Sequence, residues 1–292
     1  MEKRYHRIDL KEISSIINEQ LDEPEAKGNR MPKPEKTANK TTFYSKIALL
    51  IPGLILAAAL GLYPSEASAR VNNDIYAGLL AQYVTKGRVD YDGFKQDEKR
   101  LDDYLAVLSA TDADSLSHND KFAFYINAYN AFTIKLILTK YPGINSIKEI
   151  GSFFSSPWSK KFISLNNRTV SLDYIEHEVL RPLFKDPRVH FAINCASKSC
   201  PPLLGVPYEG EILETQLDAV TRAFVNDKKF NFLKENTLFL SRIFTWFEED
   251  FNGKPLLFIR QYAEDDFRAK LDASGPEIKL IYLDYDWTLN RP

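Results

Sequence analysis

From Ser117 to Lys140 the chain runs without glycine or proline, and its middle reads Phe122-Ala123-Phe124-Tyr125-Ile126-Asn127-Ala128-Tyr129-Asn130-Ala131-Phe132. A helix of this composition is apolar nearly all round, so it must be central, with other elements wrapped about it. Ser117 is placed to cap it. Asp120, three residues on, resembles the partner in a capping box, where Glu or Gln is usual. Pro142-Gly143 ends it. Asn127 and Asn130 are three apart and share a helical face. Two amides on a buried helix need hydrogen-bond partners, so they either brace a loop or line a site.

The flanking sequence supplies the layers around that helix. Apolar spacing predicts helices over 71–84, 94–108, 172–183, 211–224 and 256–271, with a short one over 246–251. Strands are expected at 188–194, 237–243 and 278–283. The first has Val189, Phe191 and Ile193 on one side and Arg188, His190, Ala192 and Asn194 on the other. Helices outnumber scattered strands, which predicts an α+β fold: a mostly helical single domain, 70–292, around a small β-sheet. Trp246, Phe247 and Trp287 are expected in its core. Aromatic residues are 13% of the chain, too many for a disordered segment.

Residues 1–69 read as an N-terminal extension and signal peptide. The segment 47–62 is nearly all apolar, follows Lys36, Lys40 and Lys46, and leads to Ala67-Ser68-Ala69. A basic flank, a short apolar run and an A-x-A end mark a secretory leader. A spanning helix needs roughly 20 apolar residues, and this run is shorter and broken by Pro52-Gly53. Cleavage is expected after Ala69; in the alternative the segment is kept uncleaved as a membrane anchor, the chain's one membrane contact. Met1 and Met31 are the only methionines, and Met31 is a candidate true start. The expected location is periplasmic or secreted. The formal charge of −2 offers no basic field for nucleic acid.

Several chemistries are excluded by their motifs. There is no G-x-S-x-G elbow, no P-loop and no G-x-G-x-x-G. His177-Glu178-Val179-Leu180-Arg181 approaches the zincin pattern, but an arginine stands where the second imidazole ligand belongs. His190, Cys195 and Cys200 have a spacing unlike short zinc knuckles, so no metal and no cofactor is expected. What remains is the segment 188–202, which concentrates Arg188, His190, Asn194, Cys195, Ser197, Lys198, Ser199 and Cys200 before Pro201-Pro202. Polar loops leaving a buried element commonly carry sites.

The segments Phe124-Tyr125-Ile126-Asn127-Ala128-Tyr129-Asn130, Glu176 with Leu180-Arg181, and Arg188-Val189-His190-Phe191-Ala192-Ile193-Asn194-Cys195 with Ser199-Cys200-Pro201-Pro202-Leu203 form an ordered set. With Phe244-Thr245-Trp246-Phe247-Glu248-Glu249-Asp250-Phe251 and Tyr285-Asp286-Trp287-Thr288-Leu289-Asn290, this set resembles the family catalogued as domain of unknown function 547. The resemblance runs over roughly 85–290. It implies no activity of its own; it implies that these motifs meet in space.

Two functional readings follow. In the first, the protein is an exported cysteine-dependent hydrolase or acyltransferase acting on a peptide, amide or ester. Cys195 would attack, His190 would take its proton, and Asn127 and Glu176 would orient the pair. Arg188, Asn130, Arg181 and Ser199 would hold the substrate. On a continuous strand, however, His190 and Cys195 lie on opposite faces and about 16 Å apart at about 3.3 Å per residue, so either the chain reverses sharply after Asn194 or the base comes from His177 or His118. In the second reading, Cys195 and Cys200 form a disulfide outside the cytoplasm, and the domain is a non-catalytic binding or assembly module. Its partner would be a small molecule or peptide. Concentration of polar residues on one loop favours the first reading; oxidation of Cys195 would favour the second.

Overall fold

A computed structural model describes residues 70–292 except Phe153, Pro276 and Glu277. The extension, the signal segment and the Met31 start lie outside the described residues. The element order begins with helix α1 (Asp74–Tyr83), a two-stranded hairpin of β1 (Val84–Thr85) and β2 (Arg88–Val89), helices α2 (Tyr91–Gln96) and α3 (Glu98–Ala110), and the long helix α4 (His118–Leu138). A second hairpin, β3 (Ile163–Leu165) with β4 (Arg168–Val170), turns through Asn166 and Asn167, both at positive φ. That conformation suits asparagine and matches the twist of a tight hairpin.

Helix α4 is the centre. Every residue from Phe122 to Ile134 is buried, and α1, α2, α3 and the later elements pack about it. The Ser117 hydroxyl accepts the Asp120 N–H at 3.2 Å and donates to the Asp120 carboxylate, so aspartate serves here as the capping partner. No helix among the described residues is long and apolar enough to cross a membrane. The apolar character of α4 is therefore spent on the core.

Downstream, α5 (Tyr174–Phe184) is wound as a π-helix and contains Pro182. A proline lacks the N–H of a normal turn and crowds the carbonyl four residues back, and widening the helix relieves both. It ends at Lys185, which takes a left-handed conformation. Then come α6 (Val189–Ala192), α7 (Leu213–Asn226), and a three-stranded sheet ordered β5 (Phe232–Lys234), β6 (Thr237–Leu240), β7 (Lys279–Tyr282). Strand β5 pairs antiparallel with β6, and β7 parallel with it. Between β6 and β7 lie α8 (Ile243–Trp246), a 3₁₀ turn (Glu248–Phe251), α9 (Pro255–Tyr262) and α10 (Asp265–Ala273). The fold is α+β and mostly helical, with three small sheets among the described residues.

Three expectations are corrected. The predicted helix 94–108 is two helices, broken at Asp97, whose carboxylate is held by Arg100 Nη1 at 2.6 Å and by the Tyr83 hydroxyl at 3.1 Å. The predicted helix 256–271 is also two. At that break Asn226 donates to the Tyr262 carbonyl at 2.9 Å and accepts the Glu264 N–H at 2.8 Å, capturing backbone groups that a continuous helix would have used internally. The most consequential correction is 188–194. The segment is a helical turn over Val189–Ala192, with extended backbone resuming only at Ile193. Asp186 Oδ1 accepts the Arg188 N–H at 2.9 Å, starting a turn that Phe191 N→Arg188 O and Ile193 N→Val189 O complete. All four residues of α6 are buried, so the apparent alternation never separated an inner from an outer face. A short apolar run buried on all sides does not distinguish strand from helix by periodicity.

Candidate functional site

The buried amides of α4 set the position of the segment that follows α6. Asn127 donates to the Tyr208 carbonyl at 2.8 Å and accepts the Tyr208 N–H at 2.9 Å. Asn130 does the same one turn on, donating to the Ala192 carbonyl at 3.0 Å and accepting the Asn194 N–H at 2.8 Å. Each amide clamps one stretch of chain in a two-point bond, and neither is bonded to Cys195. Asn194 continues the chain of amides: its Nδ2 donates to the Pro201 carbonyl at 2.7 Å, while its Oδ1 accepts the Ala196 N–H at 2.8 Å. That last bond accompanies a left-handed backbone at Ala196, which costs roughly 1 kcal/mol for a residue with a Cβ.

On this support sit the two cysteines. Cys195 and Cys200 are joined as a disulfide, with Cα atoms 6.2 Å apart. Cys200 is buried, while Cys195 is half-buried. Cys195 Sγ lies 3.1 Å from the Tyr285 hydroxyl and 3.2 Å from Ser197 Oγ, and those two hydroxyls are 3.1 Å apart. The Cys195 N–H donates to Cys200 Sγ at 2.8 Å. Ser199 is used structurally: its Oγ accepts the Asp286 N–H at 2.9 Å.

Behind Tyr285 is a buried carboxyl. Glu176 on α5 is hydrogen-bonded by Tyr129 of α4. Burial pushes its pKa up to about 7, against the opposing pull of the Tyr129 hydrogen bond and the Arg181 charge. Burial also raises the Tyr129 and Tyr285 hydroxyls, and the Glu176 charge raises both further. A buried carboxyl that exchanges its proton near neutrality beside tyrosine hydroxyls is a common mark of a functional site.

His190 does not join Cys195. Its Nε2 faces Asp250 Oδ2 at 2.6 Å, and Arg181 forks onto the same carboxylate through Nε at 2.6 Å and Nη2 at 3.0 Å. Partial burial alone would raise Asp250, but the bonds from His190 and Arg181 hold it well below the usual carboxylate range. Because an ionised carboxylate only accepts, Nε2 carries the histidine proton. Nδ1 then bears a buried lone pair with no partner. Burial lowers the His190 pKa more than Asp250 raises it, so the ring is neutral. Phe247 stacks on it with centroids 3.8 Å apart. Arg181 also meets His177 Nδ1 at 3.1 Å.

Arg188 stands apart from this cluster. It binds Asp186 at 2.6 Å, Glu214 at 2.7 Å and Asp218 at 2.9 Å, which leaves its guanidinium fully engaged. Among the described residues no three His, Cys, Asp or Glu side chains are placed to hold a metal ion.

The tryptophans expected in the core are not there. Trp246 is 45% exposed, and it contacts Tyr285 and Trp287 with centroids 4.7 and 5.7 Å away. Trp158 meets Trp287 edge-on at 5.6 Å, and Lys148 Nζ sits 3.9 Å over the Trp287 ring. Aromatic surface is thus left open beside the disulfide. Its position comes from the chain after β7, which pairs with the cysteine loop through Lys198 N→Thr288 O at 2.8 Å and Asn290 N→Ala196 O at 3.2 Å. Asp250, Tyr129 and Tyr285 were not singled out by residue chemistry. All three lie within the ordered motifs, which was the one signal that could have found them.

The fold and site define an α+β, mostly helical domain in which five separated motifs converge on a disulfide-bearing loop. A family model described as "Protein of unknown function, DUF547" matches residues 113–225. No curated protein and no solved structure matches the chain.

Proposed function

We propose that this protein is an exported, non-catalytic binding domain in which Cys195 and Cys200 form a disulfide and the recognition surface is the aromatic patch of Trp246, Tyr285 and Trp287. The observation that carries this reading is the setting of Cys195. Its sulfur is bonded to Cys200 and surrounded by the Ser197 and Tyr285 hydroxyls, while His190, the expected base, is committed to Asp250. A thiol nucleophile needs a free sulfur and a base within reach, so the pairing of Cys195 with Cys200 and of His190 with Asp250 supports a non-catalytic role. Large, partly exposed aromatic rings on a hydrogen-bonded support suit a small-molecule or peptide ligand. Export is supported by the apolar run before Ala67-Ser68-Ala69 and by the persistence of disulfides in oxidising compartments.

The test is a tryptophan-fluorescence titration of the oxidised protein with peptide and small-molecule panels. A saturable change that weakens about tenfold in Trp246→Ala is expected, matching a hot-spot contribution of roughly 1.4 kcal/mol. Turnover of an ester or amide that vanishes in Cys195→Ala would sink the reading. It would establish the alternative, a cysteine hydrolase or acyltransferase acting in the reduced state, for which the near-neutral carboxyl of Glu176 is the favouring observation.

A further inference from the structure

The disulfide spans only five residues of sequence, and a cross-link over so short a loop restricts the unfolded chain least. Its loop is already fixed by other bonds. Asn194 ties the start of the loop to its end, through Ala196 N and Pro201 O. Cys200 N donates to the Ser197 carbonyl at 3.2 Å. The middle is anchored to the C-terminal segment by Lys198 N→Thr288 O, Ser199 N→Asp286 O and Asp286 N→Ser199 Oγ. A staple adds little order to a loop held at both ends and in the middle. The sulfurs, by contrast, have donors where a thiolate would need them. Tyr285 can give its hydroxyl hydrogen to Cys195 Sγ while Ser197 donates to the Tyr285 oxygen, and the Cys195 N–H points at Cys200 Sγ. Hydrogen bonds to a charged sulfur favour the charged form.

We propose that Cys195–Cys200 is an exchangeable, redox-active disulfide that takes two electrons from a dithiol, with Cys195 as the sulfur attacked. Exposure decides the direction, because Cys195 is half-buried and Cys200 is buried. A thiolate of the dithiol bonds to Cys195 Sγ. The Sγ–Sγ bond breaks, and its electron pair leaves on Cys200 Sγ as a thiolate held by the Cys195 N–H. The second thiolate of the dithiol then attacks its own partner sulfur in the mixed disulfide. Cys195 leaves as a thiolate held by the Tyr285 hydroxyl, to which Ser197 donates in turn. The dithiol ends as a disulfide, and its two protons pass to solvent or to the protein thiolates. Because the loop does not depend on the bridge, the two thiols stay in register for reoxidation. The proposal shares the disulfide with the binding reading but does not need the aromatic patch to bind anything.

The experiment uses the folded protein without denaturant. Wild type is equilibrated with millimolar dithiothreitol at neutral pH; one portion is alkylated and weighed, and a second, unalkylated portion is returned to glutathione disulfide. Full reduction, retention of a cooperative melt with Tm lowered by about 5 °C, and reoxidation are expected. Cys200→Ser should trap one glutathione on Cys195, and Cys195→Ser should trap none while folded. A bridge that opens only in denaturant, loss of the cooperative melt on reduction, thiols that stay reduced in glutathione disulfide, or an adduct confined to Cys200 would each overturn the proposal. Failure of the ligand titrations would end the binding reading and leave these results untouched.

Discussion

The hydroxyl of Tyr285 lies 3.1 Å from the sulfur of Cys195, although 90 residues separate them in the chain. Tyr285 also contacts Ser197 Oγ and the indole of Trp246, so one side chain joins the cysteine loop to the exposed aromatic surface. Tyr285→Phe keeps the ring and removes the hydrogen bonds. Its expected outcome is a Cys195 thiol with a higher pKa in the reduced protein, read from the pH dependence of alkylation. The melting temperature should change little, since the half-buried ring still packs.

Asp250 accepts hydrogen bonds from the Arg181 guanidinium and from the His190 ring. Asp250→Asn should cost on the order of 2–3 kcal/mol in urea denaturation, because Arg181 loses its carboxylate where it is mostly shielded from water. Arg181→Ala should cost a similar amount. The double variant should fall short of the sum, since both changes break one network.

Glu176 makes stability depend on pH. Its folded pKa of about 7 lies above the ordinary carboxylate value, so the folded state holds a proton that the unfolded state releases. Stability should therefore fall as pH rises from about 4.5 to about 7 and level off beyond, a loss on the order of 3 kcal/mol. Glu176→Gln cannot ionise and should abolish that slope. Stability of the variant that still declines over this window would assign it to another group. His190 acts in the opposite sense: with its folded pKa lowered, it withdraws stability as pH falls below about 6.5.

Asn130 holds both a carbonyl and an N–H on either side of the turn out of α6. Asn130→Ala leaves those buried groups without partners and should cost roughly 2–4 kcal/mol. Reduced Cys195 should alkylate faster in this variant as the loop loosens.

Gly87 turns the β1–β2 hairpin at φ +70°, and a Cβ there would strike Pro202. Gly87→Ala should therefore destabilise by about 2 kcal/mol or more and disturb the Pro201-Pro202 end of the cysteine loop, measurable as a changed rate of reduction.

The central helix was legible because composition and caps agreed: an all-round apolar run between Ser117 and Pro142 has one stable solution. The need of Asn127 and Asn130 for partners was legible for the same reason, although the partners, Tyr208 and the 192–194 segment, were not. Helix breaks at Asp97 and at Ala263-Glu264 were hidden, since each engages a side chain from another element, Tyr83 in one case and Asn226 in the other. The turn at α6 was misread as a strand because Val189, Phe191 and Ile193 alternate with residues that are buried as well. His190 was assigned to Cys195 by nearness in sequence, whereas its partner Asp250 is 60 residues away. Trp246 looked like core because hydrophobicity alone does not say which large ring the C-terminal segment leaves uncovered.

That C-terminal segment does more than cover the loop. Asn290 reaches Tyr91 across 199 residues at 2.6 Å and Asn194 at 3.2 Å, while Leu289 bonds to Asn145. Cys195 and Cys200 are near enough in sequence to meet in an unfolded chain; Tyr285 and Cys195 are not. During synthesis and folding, oxidation can thus come first, and a closed disulfide says nothing about whether the domain has formed. Shielding of the Cys195 sulfur by a residue 90 positions further along does say so, which makes its accessibility a report on the long-range closure of the fold.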